Sequence, residues 1–130
     1  MYKVIERKTI LVENGNVKHG LRLSDNSFEG FGELYFTEIN KNKVKGWKRH
    51  TKVTMNLLPV IGNIVLYIKR DLLDTPEEVS FGSDDYKLVC IESNVWFAFK
   101  GIGNVNIMAN LASIEHDPSE VENVPFVITR

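Results

Sequence analysis

The chain has 130 residues, of which 43% are hydrophobic and 25% are charged, and its formal net charge is -1. This predicts a single globular domain over 1–130 with one apolar core, and excludes a second domain. A nearly neutral chain has no field that would attract nucleic acid or an anionic membrane, so any cationic site must be local. No apolar run is long enough to span a bilayer, and we expect a cytoplasmic protein. The single cysteine, Cys90, excludes a disulfide framework within one chain and is expected to be a small buried side chain.

The predicted elements, taken in chain order, are mostly strands, because apolar and polar residues alternate with a period of two. KTILVE (8–13) and VKHGLRL (17–23) form an expected hairpin around Asn14-Gly15-Asn16, whose residues tolerate positive φ. A loop follows, and seven further strands are then predicted in GELYFTEI, VKGWKRH, VTMNLLPV, NIVLYIKR, YKLVCIE, VWFAFKG and NVNIMANLA.

The remaining segments read as connections. The acidic stretch 71–85 is broken by proline and glycine, so we expect at most one helical turn there. The polar tail is expected to hold a turn of helix around 119–123. About nine or ten short strands without long helices predict an all-β sandwich or small barrel.

The stretch GWKRHTK (46–52) concentrates charge directly before the most apolar strands. On a strand, Lys48 and His50 share one face, while Trp47 and Arg49 point the other way. If Lys48 and His50 face inward, the cation holds the imidazole neutral, so His50 is a candidate general base. The alternative is an exposed basic strand end that is solvated by water.

Other candidate binding residues lie around this stretch and within apolar strands. Lys45 and Lys52 flank the charged stretch and would suit a diphosphate or another anion. Asn56 and Asn110 each interrupt an apolar run, so each amide is bonded either to the backbone, as a structural group, or to a ligand. The aromatic cluster at 96–99 could stack on a sugar or a base, although rings on strands are more often core.

Several common chemistries are excluded by the absence of their motifs. The sequence has neither a glycine-rich phosphate loop nor a G-x-S-x-G elbow. Its three histidines are scattered, with no H-x-H or H-E-x-x-H pair, so we expect no metal. His116-Asp117-Pro118 indicates a turn.

Three segments are similar to a known family: GFGELYFTEI, KGWKRHTKVTMNLLPVIGNIVLYIKRD and VWFAFKGIGNVNIMANLASIEHDPSEVEN. They resemble the cupin-fold nucleotide-sugar epimerases related to dTDP-4-dehydrorhamnose 3,5-epimerase. More narrowly, they are similar to a short branch that carries W-K-R-H-x-x-M-T, W-F-G-F-x-G and a terminal H-D-P-x-E-V-E-R. The match covers roughly 30–123, with the three motifs in the family's order.

The resemblance implies a jelly-roll (cupin) barrel that forms a homodimer, and the apolar alternation of the N-terminal hairpin would suit packing across such a dimer. It implies no cofactor and no metal, and a substrate that is a 4-keto-6-deoxy sugar linked to dTDP, CDP or GDP, in surface-polysaccharide synthesis of the O-antigen type. The keto group at C4 acidifies the protons at C3 and C5. A base removes one of these protons and an acid returns a proton to the opposite face.

The resemblance also suggests roles for individual residues. His50 would be the base, and Lys48 or Lys52 would stabilise the enolate. Taken together, the sequence pattern and the resemblance make Lys45, Arg49, Lys52, Asn56, Phe97, Lys100 and Asn110 the candidate substrate-binding residues.

The chain departs from the family at its usual proton carriers. Lys48 stands where the double epimerases have their histidine base, and Phe97 replaces a second histidine. The expected tyrosine acid is missing near 108–110, which leaves Tyr35 or Tyr67 to supply a phenol. Three hypotheses therefore stay open: an epimerase, a 3,4-ketoisomerase of the same substrates, and a cupin that binds a sugar nucleotide without catalysis.

Overall fold

The computed structural model describes residues 1–126, which form twelve strands and one short 3-10 helix. The strands are β1 Tyr2–Glu6, β2 Thr9–Ile10, β3 Val17–Lys18, β4 Glu33–Glu38, β5 Val44–His50, β6 Met55–Ile61, β7 Asn63–Lys69, β8 Glu77–Gly82, β9 Lys87–Ile91, β10 Trp96–Gly101, β11 Ile107–Ala112 and β12 Val121–Val124. The 3-10 helix, Pro118–Glu120, directly precedes β12. No helix in this part of the chain is long and apolar enough to cross a membrane.

Two five-stranded antiparallel sheets make up the body of the molecule. Their strand orders are β1-β9-β6-β11-β4 and β12-β5-β10-β7-β8, so most neighbours in a sheet are distant in sequence. Such crossing connections between two packed sheets form a jelly roll. The predicted all-β jelly-roll fold of the cupin type is confirmed.

The space between the sheets is apolar over most of its length and polar at one side. Alternate residues of each strand point inward, as in Met55 and Leu57 of β6, Leu66 of β7 and Phe81 of β8, which are all at most 1% exposed. Nearer to β4, β5 and β12, the inward positions carry polar and charged side chains instead. The apolar core therefore holds the two sheets together, and the polar side of the interior is the place where a binding site can form.

One prediction about the connections was wrong. The segment 71–85 contains β8, which pairs with β7 along its whole length. Val79 and Phe81 alternate inward along this strand and are buried. The acidic composition concealed this strand, which begins with the exposed residues Glu77 and Glu78.

The tail also differs from its prediction. The helical turn expected around 119–123 is limited to the 3-10 helix Pro118–Glu120, and β12 follows it at once. Asp117 caps this helix, accepting a hydrogen bond from the backbone of Ser119 at 3.0 Å. The tail thereby becomes the edge strand beside β5.

The N-terminal hairpin is present but shorter than predicted. Only Thr9–Ile10 and Val17–Lys18 pair as β2 and β3. Asn14 and Gly15 adopt positive φ of 71° and 145°, as predicted for the turn. Because these two strands form their own small sheet, the hairpin is separate from the two main sheets.

Candidate active site

A pocket of about 210 Å³ opens on the polar side of the sandwich. The edge strands of the two sheets, β4 and β12, both contribute to it, so it lies where the sheets part. The side chains that matter for its chemistry are Tyr35, Thr37, Lys45, Lys48, Phe97 and Asn110. A shallower groove of about 560 Å³ adjoins this pocket, because Thr37 and Lys45 line both.

His50 and Glu120 form a buried pair next to this pocket. The Nδ1 atom of His50 lies 3.0 Å and 3.1 Å from the two carboxylate oxygens of Glu120, which is 2% exposed. A carboxylate only accepts hydrogen bonds, so Nδ1 must carry the proton and Nε2 must carry the lone pair. Nε2 is buried and has no hydrogen-bond partner within residues 1–126. The tautomer is thus the one in which Nε2 can accept a proton.

His50 lies behind the pocket rather than on its wall. It lines a small cavity of about 10 Å³, which it shares with Tyr35, Glu120 and His116. The ring of Phe97 stacks on the imidazole at 5.9 Å between centroids, and Phe97 lines the pocket itself. Tyr35 borders both cavities, so the imidazole approaches the pocket at its inner end, beside Tyr35 and Phe97.

The electrostatics favour a neutral His50. Burial is the main cause that lowers the pKa of His50 below its usual value of 6.5, and the charges of Lys48 and His116 act in the same direction. The hydrogen bond and charge of Glu120 oppose this shift and raise the pKa of His50. The imidazole is therefore unprotonated at neutral pH and is aligned by the carboxylate.

The other titratable side chains of the pocket are shifted by burial as well. Burial, followed by the charge of Lys45, lowers the pKa of Lys48. Burial also raises the pKa of Tyr35, with Glu33 and Glu120 adding to the shift. Tyr35 consequently keeps its proton at neutral pH and can donate it.

The structure separates the two tyrosines that the sequence left as alternatives. Tyr35 faces the pocket from β4. Tyr67 lies on the outer face of β7, in a cluster with Trp47 and Trp96, and its ring contacts Phe126 at 5.2 Å. Tyr35 is thus the phenol that belongs to the site.

Arg49 points away from the pocket, in contrast to its predicted binding role. Its guanidinium lies 2.8 Å from a carboxylate oxygen of Glu122 and 4.9 Å from the ring of Trp96, on the outer face of the sheet. Strand alternation is the reason, because Lys48 and His50 on either side of it face inward. Arg49 therefore leaves the candidate site.

Asn56 and Lys100 leave the site for the same reason. Asn56 alternates with the inward Met55 and donates a hydrogen bond at 3.0 Å to the backbone oxygen of Ser27, so it is a structural amide. Lys100 follows Phe99 on β10 and takes the outer face. Both corrections follow from the alternation of side chains along a strand.

The lysines of the charged stretch occupy different places. Lys48 lines the pocket and Lys45 lies exposed at its mouth. Lys52 is exposed in the bend after β5 and does not line the pocket. Its charge acts on Asp117, whose pKa is lowered mainly by hydrogen bonds from Ser119 and to a smaller extent by Lys52.

Sequence reasoning assigned no role to Glu120 or Thr37. Glu120 stands within the motif HDPSEVEN, which was identified, but its burial against His50 depends on a pairing between residues 70 positions apart. Nothing in the sequence marked Thr37 as a binding residue, apart from its inward position on β4.

Within residues 1–126, no group of three or more histidine, cysteine or acidic side chains is placed to bind a metal.

Comparison with known proteins places the chain in a family. No protein-family model and no curated protein matches it. Among solved structures, a dTDP sugar isomerase from Desulfovibrio desulfuricans G20 is 32% identical with a TM-score of 0.86, over 95% of this chain and 83% of that one.

Two more distant structures share the fold. ChmJ, a 3'-monoepimerase from Streptomyces bikiniensis, is 13% identical with a TM-score of 0.84, over 95% of this chain and 69% of its own. A 3,4-ketoisomerase from Helicobacter canadensis is 15% identical with a TM-score of 0.81, and the match covers 93% of this chain and 89% of that one. With the first match covering nearly the whole chain, this protein belongs to the cupin-fold family of nucleotide-sugar epimerases and isomerases related to dTDP-4-dehydrorhamnose 3,5-epimerase.

Proposed function

We propose that this protein is a cofactor-free epimerase that acts at C3, at C5 or at both carbons of a nucleotide-linked 4-keto-6-deoxy sugar. The observation that carries the proposal is the buried His50–Glu120 pair, whose free Nε2 adjoins the cavity that Tyr35 shares with the pocket. An unprotonated base, His50, and a protonated acid, Tyr35, thus line the same small cavity, and proton transfer requires both states.

The mechanism begins with the keto group at C4, which acidifies the neighbouring C–H bonds. Nε2 of His50 takes a proton from the sugar carbon, and the electron pair moves onto the keto oxygen as an enolate. The ammonium of Lys48, which lines the pocket, stabilises the developing negative charge. The proton on Nδ1 stays on the imidazole throughout and remains hydrogen-bonded to Glu120.

Tyr35 completes the reaction by returning a proton to the carbon from the other face. His50 belongs to β5 of one sheet and Tyr35 to β4 of the other. Because the two side chains come from opposite sheets, we expect them to reach a sugar held between the sheets from different directions, as inversion requires. Tyr35 then recovers its proton from solvent, and His50 releases the one it took.

The rest of the substrate fits the exposed side of the site. Lys45 at the mouth is placed to meet a diphosphate, and the adjoining groove has room for a nucleoside. A dTDP sugar is the first substrate to test because of the 32% identical dTDP sugar isomerase, with CDP and GDP sugars next. We place the reaction in the cytoplasm, in surface-polysaccharide synthesis of the O-antigen type.

We further propose that the protein is a homodimer. The hairpin exposes large apolar side chains, including Leu11 at 80% and Val12 and Val17 at 49% each. Its two strands pair only with each other among the described residues. An isolated two-stranded hairpin is marginally stable in water, so packing against a second copy would stabilise it.

The test is deuterium exchange, followed by NMR, with dTDP-4-keto-6-deoxyglucose in D2O. Wild-type protein is expected to label C3, C5 or both. His50→Asn should lower the exchange rate by at least about 100-fold, because it removes the base. His19→Asn, the same change at a histidine outside the pocket, should leave the rate unchanged.

Two results would count against the proposal. Exchange by His50→Asn at the wild-type rate would remove His50 from the mechanism. Binding of the sugar nucleotide by wild type without any label would instead favour a non-catalytic binding protein.

A 3,4-ketoisomerase is the second candidate, because the same enolate leads to a keto group at C3. The observation that favours it is the 32% identical relative, which is a dTDP sugar isomerase. The same NMR experiment decides, since a new C3 carbonyl signal would identify ketoisomerisation and inverted coupling constants would identify epimerisation.

A further inference from the structure

We infer that Thr37 and Asn110 recognise the hydroxy-ketone of the sugar. The Thr37 hydroxyl donates a hydrogen bond to the keto oxygen at C4, and the Asn110 side-chain oxygen accepts one from the hydroxyl at C3. This inference rests on the proposed function and assigns two specificity residues within the same pocket.

The orientation of the Asn110 amide is set by its surroundings. Its Nδ2 donates to Thr37 Oγ1 at 2.8 Å, to the backbone oxygen of Met108 at 3.2 Å and to that of Tyr35 at 3.3 Å. A flipped amide would bring its own oxygen against two carbonyl oxygens, which repel it. The amide nitrogen therefore faces Thr37 and the two backbone oxygens, and the amide oxygen faces away from them.

The remaining oxygen of Asn110 is the group available to a ligand. It accepts no hydrogen bond from residues 1–126, although the residue lines the pocket and is only 3% exposed. An amide oxygen on the pocket wall that accepts no hydrogen bond from the protein is open to a donor from a ligand. A sugar hydroxyl is such a donor.

The same hydrogen bond determines what Thr37 offers. Its oxygen accepts from Asn110, so its own hydrogen must point elsewhere, and no acceptor receives it within the described part of the chain. Thr37 lines both the pocket and the adjoining groove. The pair thus presents one donor and one acceptor side by side.

A 4-keto sugar with a free C3 hydroxyl is complementary to this pair, since an acceptor and a donor sit on adjacent carbons. The two contacts differ during the reaction. The keto oxygen gains negative charge as the enolate forms, so the hydrogen bond from Thr37 strengthens and contributes to kcat. At C5 deprotonation the C3 hydroxyl keeps its hydrogen, so Asn110 contributes mainly to KM.

The first experiment compares variants of Thr37 in the exchange assay. Thr37→Val keeps the shape and removes the hydroxyl, and it is expected to lower kcat about 100-fold with little change in KM. Thr37→Ser keeps the hydroxyl and should recover the rate to within about threefold of wild type. A merely structural Thr37 would instead show equal rates for Val and Ser once both are folded.

The second experiment removes the partner hydroxyl from the substrate, so it does not depend on a variant that folds. A 3-deoxy analogue should raise the KM of the wild type for exchange at C5 about tenfold, as expected for a lost hydrogen bond of about 1.4 kcal/mol. Asn110→Ala should respond to the analogue by less than about twofold, because the contact is already gone.

The outcomes separate this inference from the function on which it rests. If wild type exchanges label and neither Thr37→Val nor the 3-deoxy analogue has an effect, the inference is overturned and the proposed function stands. If wild type exchanges no label, both are overturned.

Discussion

At the scale of single residues, the proposed mechanism assigns a role to a carboxylate that does not line the pocket, that of Glu120. Glu120 is 2% exposed and contacts His50 through Nδ1 only. It therefore acts through the imidazole, holding the tautomer and making Nε2 more basic. Its influence should be visible in the pH dependence of the reaction.

Glu120→Gln tests this positioning role. Burial lowers the pKa of His50 and Glu120 raises it, so loss of the charge should lower that pKa further. The wild-type exchange rate should fall only at pH values below 6.5, where His50 becomes protonated, and in the variant this fall should move to still lower pH. The plateau rate should drop about 10-fold or more because the base is weaker. The pH profile of deuterium exchange measures both effects.

Glu122→Gln is the matched control, because Glu122 lies two residues further along the chain and contacts Arg49 on the outer face. Its profile should coincide with that of the wild type. A shift of the Glu120→Gln profile toward higher pH, or equal profiles for both variants, would contradict the positioning role.

At the scale of elements, the turn between β6 and β7 joins the two sheets at Gly62. This residue has a φ of 84°, and a Cβ there would lie 2.1 Å from the backbone oxygen of Val105 and 2.4 Å from Asn106 Oδ1. Asn106 is 1% exposed and accepts hydrogen bonds from the backbone of Asn63 and Gly103. Neither the Val105 backbone nor the hydrogen-bonded Asn106 side chain can move aside for an added Cβ atom.

Gly62→Ala is therefore expected to destabilise the protein by more than about 2 kcal/mol, since it adds a clash to the strain of positive φ. Gly15→Ala serves as the control, because its Cβ would meet nothing within 4 Å and it lies in the separate hairpin. Its effect on unfolding of the main body should be under about 1 kcal/mol. Denaturant unfolding measures both, and equal losses would show that the packing around Gly62 is looser than described.

The elements also show how far the sequence predicts the fold and the site. Period-two alternation identified β4 to β7 and β9 to β11, because buried and exposed faces leave this pattern directly. It missed β1, and it missed β8, which begins with two exposed glutamates. Alternation also predicts that Lys48 and His50 share one face, but it leaves open whether this face is the inner one, which the structure places against the pocket and the small cavity. The partner Glu120 could not be found this way, since no local pattern reports the pairing of β12 with β5.

At the scale of the whole molecule, the sandwich has an apolar interior, a polar pocket at one side and an exposed apolar hairpin. Most of its buried side chains serve the two main sheets, and the hairpin contributes to neither. We expect the hairpin to be the part of the surface that self-association covers.

The double substitution Leu11→Asp with Val12→Asp should convert a dimer into a monomer, because charges replace the apolar side chains that a partner would bury. Leu73→Asp is the control, since Leu73 is 100% exposed in the loop before β8. Sedimentation velocity should report two chains for wild type and the control, and one for the double variant. A wild type that sediments as one chain would exclude the dimer.

The late position of Glu120 in the chain has a consequence for folding during translation. It is added to the growing chain 70 residues after His50, which takes roughly 4 to 14 s at about 5–20 residues per second. Until β12 emerges, β5 is an unpaired sheet edge, open to other chains, and the imidazole has no carboxylate to orient it. A nascent chain that stalls within this interval thus carries the proposed base without the carboxylate that orients it, and the strand that covers the sheet edge is the one that brings Glu120 to His50.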